Sequence, residues 1–155
     1  MGMDELIEAV QSLRADDAFR ARFNLPQWRN FAAYLTPYQL RAGDLLIKQG
    51  ECDRAAYFVG QGSLQVYVQG AAPGAFRVAL MRPGALVGET GLFSDQPHSA
   101  SVEAMTPTIV WALHLPRYEE LAARAPTLAN EVLRAAGAVM VARLRANLAQ
   151  RVAVA

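Results

Sequence analysis

Residues 87–102 read V-G-E-T-G-L-F-S-D-Q-P-H-S-A-S-V, and this stretch carries more chemical information than any other part of the chain. Gly88 lets the backbone approach a neighbour closely, and Glu89 follows it at once. Two small residues, Thr90 and Gly91, then open one short apolar turn, Leu92-Phe93. Pro97, His98 and Ser99 close the loop before a strand-like run begins. An anion-cradling loop needs these parts: free backbone N–H groups at the start of a short helix, and side-chain donors returning from its far end.

On either side of this loop lie short β-rich runs. They are residues 39–40, 45–47, 56–59, 64–68, 76–80 and 109–113, several of them alternating apolar with polar. Turn signals separate them, at 42–44, 49–51, 60–62, 72–74 and 82–84. Strands at such even spacing indicate a sandwich or barrel of antiparallel hairpins. The ends of the chain read differently. Leu6, Ile7, Val10 and Leu13 have helical spacing, with acids before them and Arg14 after. Pro26 opens a second helix expected to run to about residue 35, with Trp28, Phe31, Ala32 and Leu35 inward. Residues 116–124 form a further helix, and Pro126 starts a long one reaching about residue 152. Along it Leu133, Met140, Leu144 and Leu148 fall close to one face, with Val132, Ala135, Val139 and Ala142 beside them.

The predicted architecture is therefore mainly β with flanking helices, read as one domain over 1–155. N-terminal helices occupy 1–35, a small β-barrel occupies 36–115 with the loop at 87–102, and C-terminal helices occupy 116–155.

Composition narrows the function. The 155 residues are 53% hydrophobic, which argues against disorder. Fifteen basic and 14 acidic residues leave a net charge of +1, no electrostatic footprint for nucleic acid. The nearly apolar region 133–154 is broken by Arg134, Arg143, Arg145 and Arg151, so no insertion into a bilayer is expected. The acidic N-terminus lacks the basic start of a signal peptide, and the single cysteine, Cys52, suits a reducing compartment; both point to the cytoplasm. His98 and His114 have no H-x-H motif or nearby acidic ligand beside them, so no metal is expected, and His114 reads as a structural residue at a strand end. No Ser-His-Asp order, P-loop or paired catalytic carboxylates emerge, so the chain is not expected to be an enzyme, and it calls for no cofactor.

The loop closely resembles the phosphate-binding cassette of cyclic-nucleotide-binding domains, G-E-[LI]-[AG]-L-x(n)-P-R-[SA]-A. Gly88, Glu89, Gly91, Leu92, Pro97, Ser99 and Ala100 fall on that pattern. L-L-I-K-Q-G-E with Gly50, Y-F-V-G-Q-G-S-L-Q-V with Gly62, and R-P-G-A-L-V-G-E extend the resemblance over residues 31–148. It implies the double-stranded β-helix found in catabolite activator protein and in the regulatory subunits of protein kinase A. It also implies a cyclic AMP or cyclic GMP ligand held by Gly88, Glu89, Thr90, Gly91, His98 and Ser99. The tail R-L-R-A-N-L-A at 143–149 is similar to the last helix of such domains fused behind anion transporters. Asn147 in that helix would either lie over the base or set the register of a helix pair.

One position departs from the family. The phosphate-pairing arginine is His98 here. Arginine offers a permanent charge and a flat fork of donors, whereas a neutral histidine offers one donor. A free imidazole, with a pKa of about 6.5, is mostly neutral at pH 7. The exchange would cost on the order of 2–4 kcal/mol of binding. Two expectations follow. One is a sensor that binds a cyclic nucleotide and relays this through its last helix to a fused or associated effector, or to a second copy of the chain. The other is a degenerate module of the same fold used for dimerisation or docking, for example behind a transporter. In either case the chain stops at Ala155 without a DNA-reading segment, so no nucleic-acid partner is expected.

Overall fold

A computed structural model describes residues 1–70 and 75–154, and side chains apart from those of 75–77 and 150–154. The turn expected at 72–74 lies outside the described residues. The elements run α1 (Met3–Ser12), α2 (Leu25–Ala32), β1 (Thr36–Leu40), β2 (Leu45–Ile47), β3 (Ala55–Gln61), β4 (Leu64–Gln69), β5 (Ala75–Met81), β6 (Leu86–Val87), α3 (Thr90–Phe93), β7 (Ser101–Ala104), β8 (Thr108–His114), α4 (Leu115–Arg124) and α5 (Pro126–Val154). Two four-stranded sheets, ordered β1-β8-β3-β6 and β2-β7-β4-β5, face each other. Every strand pairing is antiparallel. This is the β-roll with flanking helices that the strand spacing predicts.

The central strands explain the placing of the helices. In β3 and β8 successive side chains enter different cores. Ala55, Tyr57, Val59, Val110 and Ala112 point into the barrel with Ile47, Leu64, Val87 and Val102. Ala56, Phe58, Trp111 and Leu113 point outward, against Leu6, Phe19, Phe31, Leu121, Val132 and Val139 of the helical layer. A strand covered on both faces becomes a continuous apolar run, as 55–59 is. Phe58 meets Phe19 edge-on at 5.0 Å and Phe31 at 5.9 Å, which seats α2 and the segment before it on the sheet.

Several boundaries differ from the sequence expectation. The α2 helix begins at Leu25 and ends at Ala32, not near residue 35. Asn24 Oδ1 accepts from the Gln27 amide at 2.9 Å while Gln27 Oε1 accepts from the Asn24 amide at 2.9 Å, a capping box that fixes the start. Pro37 disfavours helix at its predecessor, and β1 starts there. In α5 the core-facing seam is Ala129, Val132, Ala135, Ala136 and Val139. Leu144 and Leu148 are exposed instead, and with Val141 they form an apolar stripe on another face of the helix.

Candidate functional site

The loop at 87–102 leaves the barrel where Val87 of β6 pairs with Tyr57 of β3. Gly88 then turns with φ +71°, in the left-handed region where a side chain is strained. A Cβ there would also sit 2.8 Å from Ile47 Cδ1, but that is the movable tip of a side chain, so the backbone conformation is what calls for glycine. At Gly91 a Cβ would sit 2.8 Å from the carbonyl oxygens of both Asp53 and Ala55. The α3 turn is thus pressed directly onto the backbone of residues 53–55. At its far end the loop is pinned by a reciprocal pair: the His98 amide donates to Glu51 O at 2.9 Å and the Gly50 amide to His98 O at 2.8 Å. Thr90 and Ser99 are exposed along this loop.

Glu89 is only 6% exposed, yet it does not cap α3 with its side chain. Its Oε2 accepts from Arg143 Nη1 of α5 at 2.8 Å. Arg143 also donates from Nε to Asp17 Oδ2 at 2.9 Å and from Nη2 to Leu86 O at 2.6 Å. One guanidinium therefore joins the cassette, the end of β6, the segment between α1 and α2, and the last helix. A carboxylate this buried needs such a partner, because an uncompensated charge in the interior is strongly destabilising.

His98 makes a separate network. Its Nε2 lies 2.7 Å from Asp53 Oδ1, and its side chain is 8% exposed. The other oxygen of Asp53 accepts the Tyr57 hydroxyl at 3.0 Å. Burial first, and then the negative charge of Asp53, push the Tyr57 hydroxyl well above its usual pKa. The next residue, Arg54, donates from Nε to Gly91 O at 2.7 Å.

The structure thus brings Gly88, Glu89, Thr90 and Gly91 together on one turn and holds His98 and Ser99 on the returning arm of the loop, before β7. Asn147 lies one helical turn beyond Arg143 and is exposed. His114 sits at the end of β8 with Nε2 2.9 Å from the Tyr38 hydroxyl. Cys52 is free and exposed. Among the described residues no group of three His, Cys, Asp or Glu could hold a metal ion.

Sequence reasoning missed Asp17, Asp53, Arg54 and Arg143. For Arg143 a signal existed. Val132, Ala136 and Val139 are eleven, seven and four positions before it, so it continues the core seam of α5. A charge on a core-facing stripe calls for a buried partner.

Residues 37–125 match the family model described as the cyclic nucleotide-binding domain, and the chain belongs to that family. Among solved structures, a cyclic nucleotide-binding domain from Methylobacillus flagellatus superposes with a TM-score of 0.85 at 23% identity, covering 99% of this chain and 84% of that one. Acetyltransferase Pat of Mycolicibacterium smegmatis is 33% identical over 94 residues, 55% of this chain and 28% of its own length. The cAMP-dependent protein kinase regulatory subunit of Blastocladiella emersonii is 26% identical over 110 residues, 71% of this chain and 27% of its own. The chain thus spans little more than a quarter of the length of these two curated relatives. Among the described residues no helix is long and apolar enough to cross a membrane.

Proposed function

We propose that this chain is a cytoplasmic regulatory module, not an enzyme, that binds cyclic AMP or cyclic GMP in the 87–102 loop and relays binding through α5. On this reading the backbone of 88–91 and the Ser99 hydroxyl receive the phosphate, with His98 beside them held by Asp53. Glu89 accepts the ribose hydroxyl, and Asn147 lies toward the base. Residues 1–155 act as one unit whose output passes to a fused effector, an associated protein or a second copy; nucleic acid is not a partner. The observation that carries the reading is the 2.8 Å contact between Glu89 and Arg143. A carboxylate has room for several hydrogen bonds, so a ribose hydroxyl at Glu89 would share it with Arg143 and bear directly on the last helix. A ligand that favours one placement of α5 over another would then shift its population.

A second reading is favoured by a specific feature. The His98 ring is buried on Asp53 and not free in the loop. A domain that has lost its nucleotide and serves only for docking or dimerisation would tolerate that. Calorimetric titration with cyclic AMP, cyclic GMP and cyclic di-GMP separates the two. Saturable 1:1 heat with a cyclic mononucleotide supports the sensor, and no heat with any of the three supports the docking module.

A further inference from the structure

A cyclic phosphate calls for a positive charge at the cassette, and Arg143 and His98 are both already engaged. Arg143 is held by two carboxylates, Glu89 at 2.8 Å and Asp17 at 2.9 Å. His98 is closed by Asp53 at 2.7 Å. That bond turns the His98 ring toward a carboxylate, so a phosphate would have to compete with Asp53 for it.

Arg54 differs from both. Its side chain is half-buried against α3, anchored by the 2.7 Å bond from Nε to Gly91 O. Among the described residues it forms no ion pair with a carboxylate. A guanidinium carries five N–H donors and Nε accounts for one, so four remain for another acceptor. Withdrawing such a group from water without an anion is costly, and a single carbonyl bond offsets only part of that cost. The missing side chain at Gly91 brings the backbone of 53–55 into contact with the cassette, and the bond to Gly91 O holds the Arg54 head group at that turn. Its planar fork fits two phosphate oxygens at once.

We propose that Arg54, resting unpaired by any carboxylate on the Gly91 turn, supplies the permanent positive charge that meets the cyclic phosphate in place of the arginine missing at position 98. The inference rests on the nucleotide-binding reading above. The exchange moves the charge from the returning end of the loop to the strand on which α3 is pressed. His98 then serves to hold Asp53 and the loop's end.

The test is a calorimetric titration of the full chain and of Arg54→Gln, Arg54→Lys and His98→Gln with cyclic AMP and cyclic GMP, after each variant's melting temperature is checked. Arg54→Gln should weaken binding of the preferred nucleotide roughly 10- to 100-fold, the size of a lost charge-assisted pair. Arg54→Lys should recover part of that loss, and His98→Gln should cost less affinity than Arg54→Gln does. Should Arg54→Gln melt far below the wild type, Arg54→Lys and His98→Gln decide alone: a larger loss in His98→Gln than in Arg54→Lys overturns the assignment. Wild-type binding with unchanged affinity in Arg54→Gln also overturns this assignment and leaves the nucleotide-binding reading standing. No binding to the wild type overturns both.

Discussion

Arg143 of α5 and Glu89 of the cassette lie 2.8 Å apart, although 54 residues separate them in sequence, and Asp17 holds the same guanidinium from the N-terminal side. The geometry makes one side chain the junction between ligand loop, last helix and N-terminal segment. Arg143→Ala leaves Glu89 buried without a counter-charge and should destabilise the fold by on the order of 2–3 kcal/mol. Combining it with Glu89→Gln removes the uncompensated charge, so the double variant should be more stable than Arg143→Ala alone. Urea denaturation of the two single variants and the double variant checks this. Strictly additive losses would contradict a direct pair.

Gly91 should tolerate no side chain. Alanine there would place its Cβ 2.8 Å from two carbonyl oxygens, atoms of the rigid backbone of residues 53 and 55. Gly91→Ala should cost on the order of 2 kcal/mol and loosen α3 from β3, the scale of overpacking in a close-packed site. Thermal melting reports the loss. Amide exchange should localise it to the loop at 87–102, and a melting temperature equal to that of the wild type would be inconsistent with the observed contact.

Glu131 governs a pH dependence. Hydrogen bonds from Arg134, chiefly, and from the Arg22 amide at 2.6 Å hold its carboxyl down at about 2, from an ordinary value of 4.5. The folded protein therefore binds this proton less readily than the unfolded chain does. The stabilisation is fully present above about pH 4.5 and is lost as pH falls toward 2. Glu131→Gln should lower stability by about 1 kcal/mol at neutral pH, and the gap to the wild type should close in acid. Melting curves at several pH values test this, and a gap that widens in acid would refute it.

The exposed stripe Val141, Leu144 and Leu148 leads us to expect a homodimer paired along α5. Light scattering should give twice the mass of one chain. Leu144→Glu should return it to one chain's mass without altering the melting of the barrel. A wild type that stays monomeric at high concentration would exclude this interface.

How much of this was legible beforehand follows from which interactions are local. The barrel strands announced themselves because alternation and turn residues are properties of neighbouring positions. The cassette was legible because Gly88 and Gly91 are demanded by backbone geometry that the sequence motif records. The strand-like run after Ser99 is β7, whereas the two-residue β6 carries too little periodicity to be read from the sequence. The end of α2 was set too late because Tyr34 and Leu35 continue the apolar pattern while making turn bonds back to Phe31 and Ala32. The partners of Glu89 and His98 were invisible for a different reason. Arg143 and Asp53 lie 54 and 45 residues away in sequence, and only the fold brings them near. His98 could be recognised as the departure from the family, but not as the partner of Asp53.

The central claim is that a cyclic nucleotide at Glu89 is felt by α5 through Arg143. Amide hydrogen exchange across α5, with and without saturating cyclic AMP or cyclic GMP, tests it most directly. The account predicts that nucleotide changes the protection of residues 139–147 in the wild type, and that Arg143→Ala loses this response while still binding. Nucleotide that binds without altering α5, or an identical response in Arg143→Ala, would contradict it.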